Sequence, residues 1–392
     1  MRILFVCENY HPHYGGAEVL FKNLAEGSVK EGHAATVLTH WLKGTARSDV
    51  IGGVTVRRIL SFSSRYLFTF FSIPAAIRLA RKHDLIQTTT FNGAFPAWLA
   101  AKLAGKPVVL TVHEAWQGKW REITGFPRWK SALHEFLEGL IYRLPFDQYI
   151  CVSQATKDDL LRQEIAPEKV EVIYNGLDYE FWNPKKVKAA VVKDIKKRHN
   201  LYHKFAYFSW GRPGPSKGFE YLIKAVPLIA QQIPDSVLLL MLGSREKYPQ
   251  KYRELRWLIQ ELTLSHQIKQ EQIQLLDSQP YEELRNYVQA ADCIVVPSLA
   301  EGFGYTAVEA LAMNKPLVVS DAGSLPEIVG GKYQVFRSKD VRDLAEKVVK
   351  IARKEFLHQP RKKFEWKESI WQYLGIYQKL LDQKNHHQNT RP

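Results

Sequence analysis

Short apolar strands and helical stretches alternate along this chain twice over, and that alternation admits few folds. RILFVCE (2–8), AATVLTH (34–40), DLIQTTT (84–90), PVVLTVH (107–113), QYICVS (148–153) and KVEVIYN (169–175) read as strands. Helical candidates such as Ala17 to Glu31 and Ala94 to Ala104 lie between them. A lysine-rich stretch, Lys185 to Asn200, reads as a solvated connection. The pattern then restarts with FAYFSWG (205–211), SVLLLML (236–242), IQLL (273–276), DCIVVP (292–297) and PLVVSD (316–321), again with helices between. Such alternation predicts a mostly parallel sheet with helices on its faces, made twice. The chain is therefore expected to be α/β, with two Rossmann-like, doubly wound domains over 1–180 and 202–363 and a linker over 181–201. FEWKESIWQYLGIYQKLL reads as a closing amphipathic helix at about 364–383, and the tail KNHHQNTRP is expected to fray. Doubly wound sheets hold ligands at the carboxyl ends of their strands, so two such domains facing across a cleft would share one ligand.

Composition narrows the classes. Among 392 residues, 45% are apolar, enough for ordinary globular cores. The three cysteines, Cys7, Cys151 and Cys293, each sit in an apolar run with no CxxC pairing, as buried thiols in a reducing cytoplasm would. The N-terminal apolar run is broken by Glu8 and Asn9, and the longest one, near Tyr66 to Ile77, is shorter than the ~18 residues of a spanning helix. A soluble or peripheral protein is expected. The net charge of +15 suits an anionic partner such as a nucleotide or a lipid surface. No RNP, zinc-finger or basic-zipper pattern accompanies it, so no nucleic-acid partner is expected.

The chemistry concentrates in SLAEGFGYTAVEALAMNKPLVVSDAG, Ser298 to Gly323. A strand ends near Pro297 and a helix starts near Tyr305 or Thr306, with Gly302 and Gly304 in the turn. The N–H groups of a helix start bind anions, and glycine lets a ligand approach the backbone. Glu301 and Glu309 flank that turn. A carboxylate beside a bound anion needs neutral donors, and sugar hydroxyls supply them. The plain alternative is a strand–turn–helix with one glutamate favouring the helix dipole.

WGRPGPSKGFEYL, Trp210 to Leu222, follows the first strand of the second domain and offers Arg212 and Lys217 from a Gly/Pro-rich loop. Arginine grips phosphate in bidentate fashion and lysine acts as a point charge; two solvated surface charges are the alternative. The loop lacks the GKS/T ending of a P-loop. Gly15 and Gly16 follow the first strand as a further backbone-amide site, without GxGxxG spacing. His113 ends a strand in VVLTVHEAW, where a site role competes with a structural one. No HExxH, Cys/His cluster or DxD is present, so no metal site and no cofactor is expected.

With GGAE, VVLTVH, ICVSQATKDDL, VEVIYNGLD, GRPGPSKGFEYLIKA, EGFGYTAVEA and KPLVVSDAGSLPEIV in order, the chain resembles glycosyltransferase family 4 from Met1 to about Leu381. This family consists of retaining, nucleotide-sugar-dependent enzymes of the GT-B fold. The resemblance implies a UDP- or GDP-linked donor in the C-terminal domain, an acceptor in the N-terminal one, and a last helix that crosses back to the N-terminal domain. It implies that Arg212 and Lys217 hold the diphosphate and Glu309 the ribose hydroxyls. Glu301, with the backbone of Phe303 and Gly304, would hold the sugar, while Tyr305 and Thr306 add amides to the phosphate. Gly16 would close over the diphosphate and His113 would sit by the transferred sugar. Pro213, Gly214 and Tyr305 depart from the usual family residues, which bears on loop stiffness and sugar preference. No separate nucleophile is visible, so leaving-group stabilisation would carry the reaction.

The expected function is metal-independent hexosyl transfer in the cytoplasm. A nucleotide-sugar epimerase, a sugar phosphorylase and a non-catalytic sugar-nucleotide binder are the alternatives. One stretch bears on the acceptor. Arg57 to Lys82 sets Phe62, Tyr66, Phe70 and Phe71 among Arg57, Arg58, Arg65, Arg78, Arg81 and Lys82. Such a pattern suits either a strand-to-helix connection or contact with an anionic membrane surface on the inner face, with a glycan or lipid-linked acceptor. Pro74 forbids one continuous amphipathic helix there.

Overall fold

The computed structural model describes residues 1–13, 15–62 and 64–389, with side chains to His386. The chain divides into two compact units. The first comprises Met1–Trp120, Pro127–Gly176 and the C-terminal segment from Phe364; the second comprises Arg121–Phe126 and Leu177–Lys363.

In the first unit the strands are β1 (Arg2–Val6), β2 (Ala34–His40), β3 (Ser48–Ile51), β4 (Val54–Ile59), β5 (Leu85–Thr89), β6 (Val108–Val112), β7 (Gln148–Cys151) and β8 (Val170–Val172). They form one sheet in the order β3-β4-β2-β1-β5-β6-β7-β8. All neighbours are parallel except β3 and β4. β1 lies between β2 and β5, so the strand order reverses at β1, and Gly15 and Gly16 follow its carboxyl end. The central strands are buried end to end because helices cover both faces, as parallel sheets require.

In the second unit the strands are β9 (Phe205–Gly211), β10 (Ser236–Leu242), β11 (Ile273–Asp277), β12 (Cys293–Val296), β13 (Leu317–Ser320), β14 (Gly331–Phe336) and β15 (Leu357–Gln359). Their order is β11-β10-β9-β12-β13-β14-β15, parallel but for the β14–β15 pair. Here the order reverses at β9, flanked by β10 and β12. The two motif-bearing loops therefore leave adjacent strands at the same edge of the same sheet.

The α/β reading with two doubly wound sheets matches these topologies. Three features differ from the sequence reading. The antiparallel pairs β3–β4 and β14–β15 were not expected; their strands are short and the outer ones exposed, which leaves no periodic apolar signal. The lysine-rich stretch read as a solvated connection carries a helix, Ala189–Arg198, with Ile195 buried, and belongs to the second unit. The closing helix runs Trp366–Asn389, so part of the tail expected to fray is helical; Thr390 to Pro392 lie outside the described residues.

That closing helix docks on the first unit by named contacts. Tyr377 donates its hydroxyl to Gln87 Oε1 at 2.8 Å, and the Tyr373 hydroxyl meets Thr111 Oγ1 at 3.0 Å. Both tyrosines are fully buried, and Ser369 donates to the Tyr174 carbonyl at 2.7 Å. A Cβ on Gly27 would fall 2.2 Å from Ile370 Cδ1, so glycine permits the close helix approach.

Candidate functional site

The loop after β9 is held by its own backbone. The Gly214 N–H donates to the Arg212 carbonyl at 2.7 Å and the Lys217 N–H to the Gly214 carbonyl at 3.0 Å. A single 3-10 turn, Pro215–Lys217, leads to Gly218 at φ 64°, which starts the helix Phe219–Gln232. A Cβ at Gly218 would meet the Pro297 carbonyl oxygen at 2.0 Å, and the Leu299 N–H donates to the Ser216 carbonyl at 2.7 Å. The loops after β9 and β12 are thus locked together, and only glycine fits where they cross.

This lock brings the predicted side chains into one place. Lys217 pairs with Glu301, whose Oε1 also accepts from Ser298 Oγ at 2.8 Å. The Glu301 carbonyl accepts from the Ser324 N–H at 3.1 Å, and Gly323, at φ 54°, passes so close that a Cβ would touch that carbonyl. Gly304, at φ 86°, starts the helix Tyr305–Ala312. The first N–H groups of any helix have no partner within it, and Tyr305 and Thr306 supply them here. Phe303 is buried and packs edge-on against Tyr305, with ring centroids 5.1 Å apart. Arg212 stands exposed at the head of its loop.

Glu309 lies one turn into that helix and is 7% exposed. Burial pushes its carboxyl up to about 8, against hydrogen bonds from Tyr281 and Trp210 and the nearby charge of Lys217. Tyr281, at the start of the helix after β11, in turn accepts from Trp182 Nε1 at 2.9 Å. Phe181 stacks on the Tyr281 ring at 5.0 Å, and Arg285 covers the other ring of that pair, 4.7 Å from the Phe181 centroid. Trp210, Tyr281 and Ser298 were not singled out from the sequence. Tyr281 comes from a different strand–helix connection, and nothing in its local sequence signals that it reaches Glu309.

In the first unit, Gly15 precedes and Gly16 begins the helix Gly16–Lys30. The carboxylate of Glu18 folds back over this start. A Cβ on Gly15 would fall 2.3 Å from Glu18 Oε2, and Glu18 Oε1 lies 3.2 Å from His13 Nδ1. Burial raises the Glu18 carboxyl, but its hydrogen bonds to His13 and to its own backbone N–H hold it below the ordinary value. An anion seated at Gly16 would compete with this carboxylate. Glu18 lies within the GGAE motif, in which only the glycines carry an expected role. His113 follows β6, with Phe21 packed 6.4 Å from its ring. Its Nε2 is sealed from solvent without a hydrogen-bond partner, and burial lowers its pKa to about 4 against the opposing charge of Glu18. Among the described residues no group of three or more His, Cys, Asp or Glu is arranged to hold a metal ion.

Comparison with known proteins follows the same two-part division. The family model for Glycosyltransferase Family 4 matches residues 14–181, and that for Glycosyl transferases group 1 matches residues 191–367. The GPI3 subunit of phosphatidylinositol N-acetylglucosaminyltransferase from Saccharomyces cerevisiae is 25% identical over 395 residues, covering 96% of this chain and 82% of the relative. An uncharacterized glycosyltransferase of Methanocaldococcus jannaschii is 28% identical, covering 86% of this chain and 84% of the relative. Among solved structures, Anabaena HepE in complex with UDP and glucose superposes with a TM-score of 0.72 at 19% identity, covering 97% of this chain and all of that one. Sucrose-phosphate synthase of Thermosynechococcus elongatus gives 0.73 at 18% identity, over 97% and 100%. These structural likenesses establish the GT-B fold.

Proposed function

The chain belongs to the family 4 type of glycosyltransferases, and from that premise we propose that it is a retaining, metal-independent hexosyltransferase. It would move a sugar from a UDP- or GDP-hexose to a glycan or lipid-linked acceptor. One observation carries this reading. Lys217, the helix start at Tyr305 and Thr306, Glu301 and Glu309 converge at the carboxyl ends of β9 and β12.

In this reading Arg212, Lys217 and the helix start neutralise the departing diphosphate, which is where charge develops as the glycosidic bond breaks. Glu309 takes the ribose hydroxyls. Glu301, with the backbone of Phe303 and Gly304, takes the sugar. His113, neutral at pH 7, offers the sugar a hydrogen bond rather than a proton. Gly15 and Gly16 close over the diphosphate, and Glu18 must turn aside for them to do so. Attack by the acceptor on the face that the diphosphate leaves would retain configuration without a covalent intermediate. Cations from the chain stand where other transferases use a metal.

A uridine donor is favoured by the UDP and UDP-glucose complexes of HepE, and a lipid-linked acceptor by the inositol-lipid substrate in the yeast relative's name. The protein would then work on the cytoplasmic side of a membrane. Among the described residues no helix is long and apolar enough to cross one.

A thermal-shift screen against UDP-, GDP- and ADP-sugars tests the donor. A ligand at 100 times its Kd adds about 2.7 kcal/mol of stability, a shift easily resolved. Product analysis of the stabilising donor follows, with acceptor, without it, and with inorganic phosphate. Acceptor-dependent α-to-α or β-to-β transfer in EDTA supports the proposal. Epimerisation without acceptor, phosphorolysis, inversion, or activity restored only by Mg²⁺ or Mn²⁺ would each replace part of it.

A further inference from the structure

Large apolar side chains crowd one outer surface of the first unit. On the helix Arg65–Phe71 and the residue leading into it, Phe62 is 68% exposed and Phe70 62%, with Tyr66 and Phe71 also exposed. Phe62 and Phe71 rest edge-on at 6.3 Å, so the rings form one raised cluster. The helix Arg128–Arg143 carries a second exposed set: Trp129, Leu133, Phe136, Leu137 and Leu140. That spacing of four, three, one and three is the apolar stripe of an amphipathic helix, and such a stripe ordinarily faces a core. Here it faces out, with Trp129 at 70% and Phe136 at 59% exposure. The inward face of the same helix packs Tyr142 and Ile141 on the core around one buried carboxylate: Glu138 accepts from Trp120 Nε1 at 2.7 Å and from the Tyr142 hydroxyl at 2.9 Å.

The two sets adjoin. The Tyr66 hydroxyl meets His134 Nε2 at 3.2 Å, bridging the helices directly. Monomeric proteins rarely leave an apolar patch of this extent to water. Its charge surroundings indicate what covers it. From Val50 to His83 the chain has no acidic residue and exposes Arg57, Arg78, Arg81 and Lys82, while Arg58 is buried and the exposed Arg65 pairs with Glu8 at 3.2 Å. Arg128 and Arg143 stand exposed at the two ends of the second helix, whose acidic residues are the buried Glu138 and the half-buried Glu135.

We propose that the outward faces of these two helices seat the protein on an anionic lipid bilayer. Aromatic and leucine side chains enter the boundary between headgroups and acyl chains, while arginines and lysines around them meet lipid phosphates. A globular partner with an acidic rim would satisfy the same charges, but highly exposed rings and leucines flanked by bases fit a fluid, laterally adaptable surface better than a fixed groove. The surface extends the sequence reading of residues 57–82 to a second helix that carried no such expectation. It bears on where a lipid-linked acceptor is met, yet lipid binding is read without turnover, so either reading can fail alone.

The test is co-sedimentation with vesicles of phosphatidylcholine alone and of phosphatidylcholine with 30% phosphatidylglycerol, at low and at physiological salt. The expected result is binding to the anionic vesicles, weaker at higher salt. It should fall at least tenfold in Trp129→Ser/Phe136→Ser and in Phe62→Ser/Phe70→Ser, and severalfold in Arg128→Glu. All substituted side chains are exposed, and a cooperative thermal melt at the wild-type midpoint shows that each variant is folded. Failure to bind anionic vesicles at low salt overturns the proposal. So does binding that the variants leave unchanged. A wild-type dimer that the apolar variants convert to monomer, without vesicle binding, would assign the face to a second copy instead.

Discussion

Lys217 and Glu301, 84 positions apart in the chain, form an ion pair that joins the loops after β9 and β12. Both side chains are largely removed from water, and Ser298 supplies Glu301 with a second donor. A diphosphate arriving at Lys217 would compete with that carboxylate, so the pair keeps the lysine ordered before the donor binds. Lys217→Ala should weaken the donor by about 1.5–3 kcal/mol and also destabilise the free protein, since Glu301 is left without its counter-charge. Adding Glu301→Gln should recover stability but not donor affinity. Calorimetric titration and thermal melts of the single and double variants separate the two effects. Donor affinity at the wild-type level in Lys217→Ala would remove lysine from the diphosphate site.

Glu309 gives a pH signature. Its folded-state pKa, near 8, lies above the ordinary carboxyl value, so the folded chain binds the extra proton between about pH 4.5 and 8. This contribution to stability is full below the unfolded value and is lost as pH rises towards 8. Ribose hydroxyls donating to the carboxylate would favour its charged form and pull the pKa down in the complex. Donor binding should therefore release a proton, and affinity for the nucleotide-sugar should rise from pH 6 to 8, by at most about tenfold per unit. Glu309→Gln should flatten that dependence and weaken binding of the free nucleoside diphosphate. Titrations in buffers of different ionisation enthalpy count the proton directly; the same pH dependence in Glu309→Gln would place the proton elsewhere. Glu301→Ala should behave differently, sparing the free diphosphate while impairing sugar transfer.

Much of this was legible because each doubly wound domain repeats a local signal. Strands buried on both faces show as apolar runs, and β2, β9 and β10 fall on the residues that the sequence indicated. The Gly/Glu motif could be read because glycine spacing and helix entry are local properties. Trp182, Tyr281 and Trp210 around Glu309 could not, since tertiary contact alone brings together a side chain of β9 and two from other parts of the chain. The apolar stripe of Arg128–Arg143 shows the opposite failure. Periodicity marks a helix face as apolar without saying whether that face turns inward, and here Tyr142, Ile141 and the buried Glu138 face inward while the stripe stays exposed. The helix Ala189–Arg198 was hidden by its lysines, which leave Ile195 as its one fully buried side chain among the described residues.

Gly218 tests the lock between the two loops. Its φ of 64° disfavours any side chain, and an added Cβ would lie 2.0 Å from the carbonyl oxygen of Pro297, which is backbone and cannot swing away. Gly218→Ala should lower stability by roughly 3–4 kcal/mol and abolish detectable donor binding, because the loop carrying Lys217 must move. Gly214→Ala is the control, with only the Tyr248 ring 3.7 Å away. Urea unfolding of both variants decides the matter: equal, small losses would mean that the crossing is not rigid.

His113 is held neutral, and neutrality can be read in two independent ways. Burial lowers its pKa to about 4, below the unfolded value of 6.5, so the unfolded chain binds more protons between those values. Its contribution to stability is then full above pH 6.5 and is lost as pH falls towards 4, by up to about 3 kcal/mol. His113→Gln should reduce this acid-side loss in thermal melts. Activity gives the second reading. An imidazole that only donates or accepts a hydrogen bond leaves kcat without a limb near pH 6.5, although His113→Ala should lower kcat by tenfold or more through lost contact with the sugar. A pH profile of kcat in wild type and His113→Gln distinguishes this role from proton transfer. A limb near 6.5 that vanishes with the histidine would make His113 a titrating acid–base group.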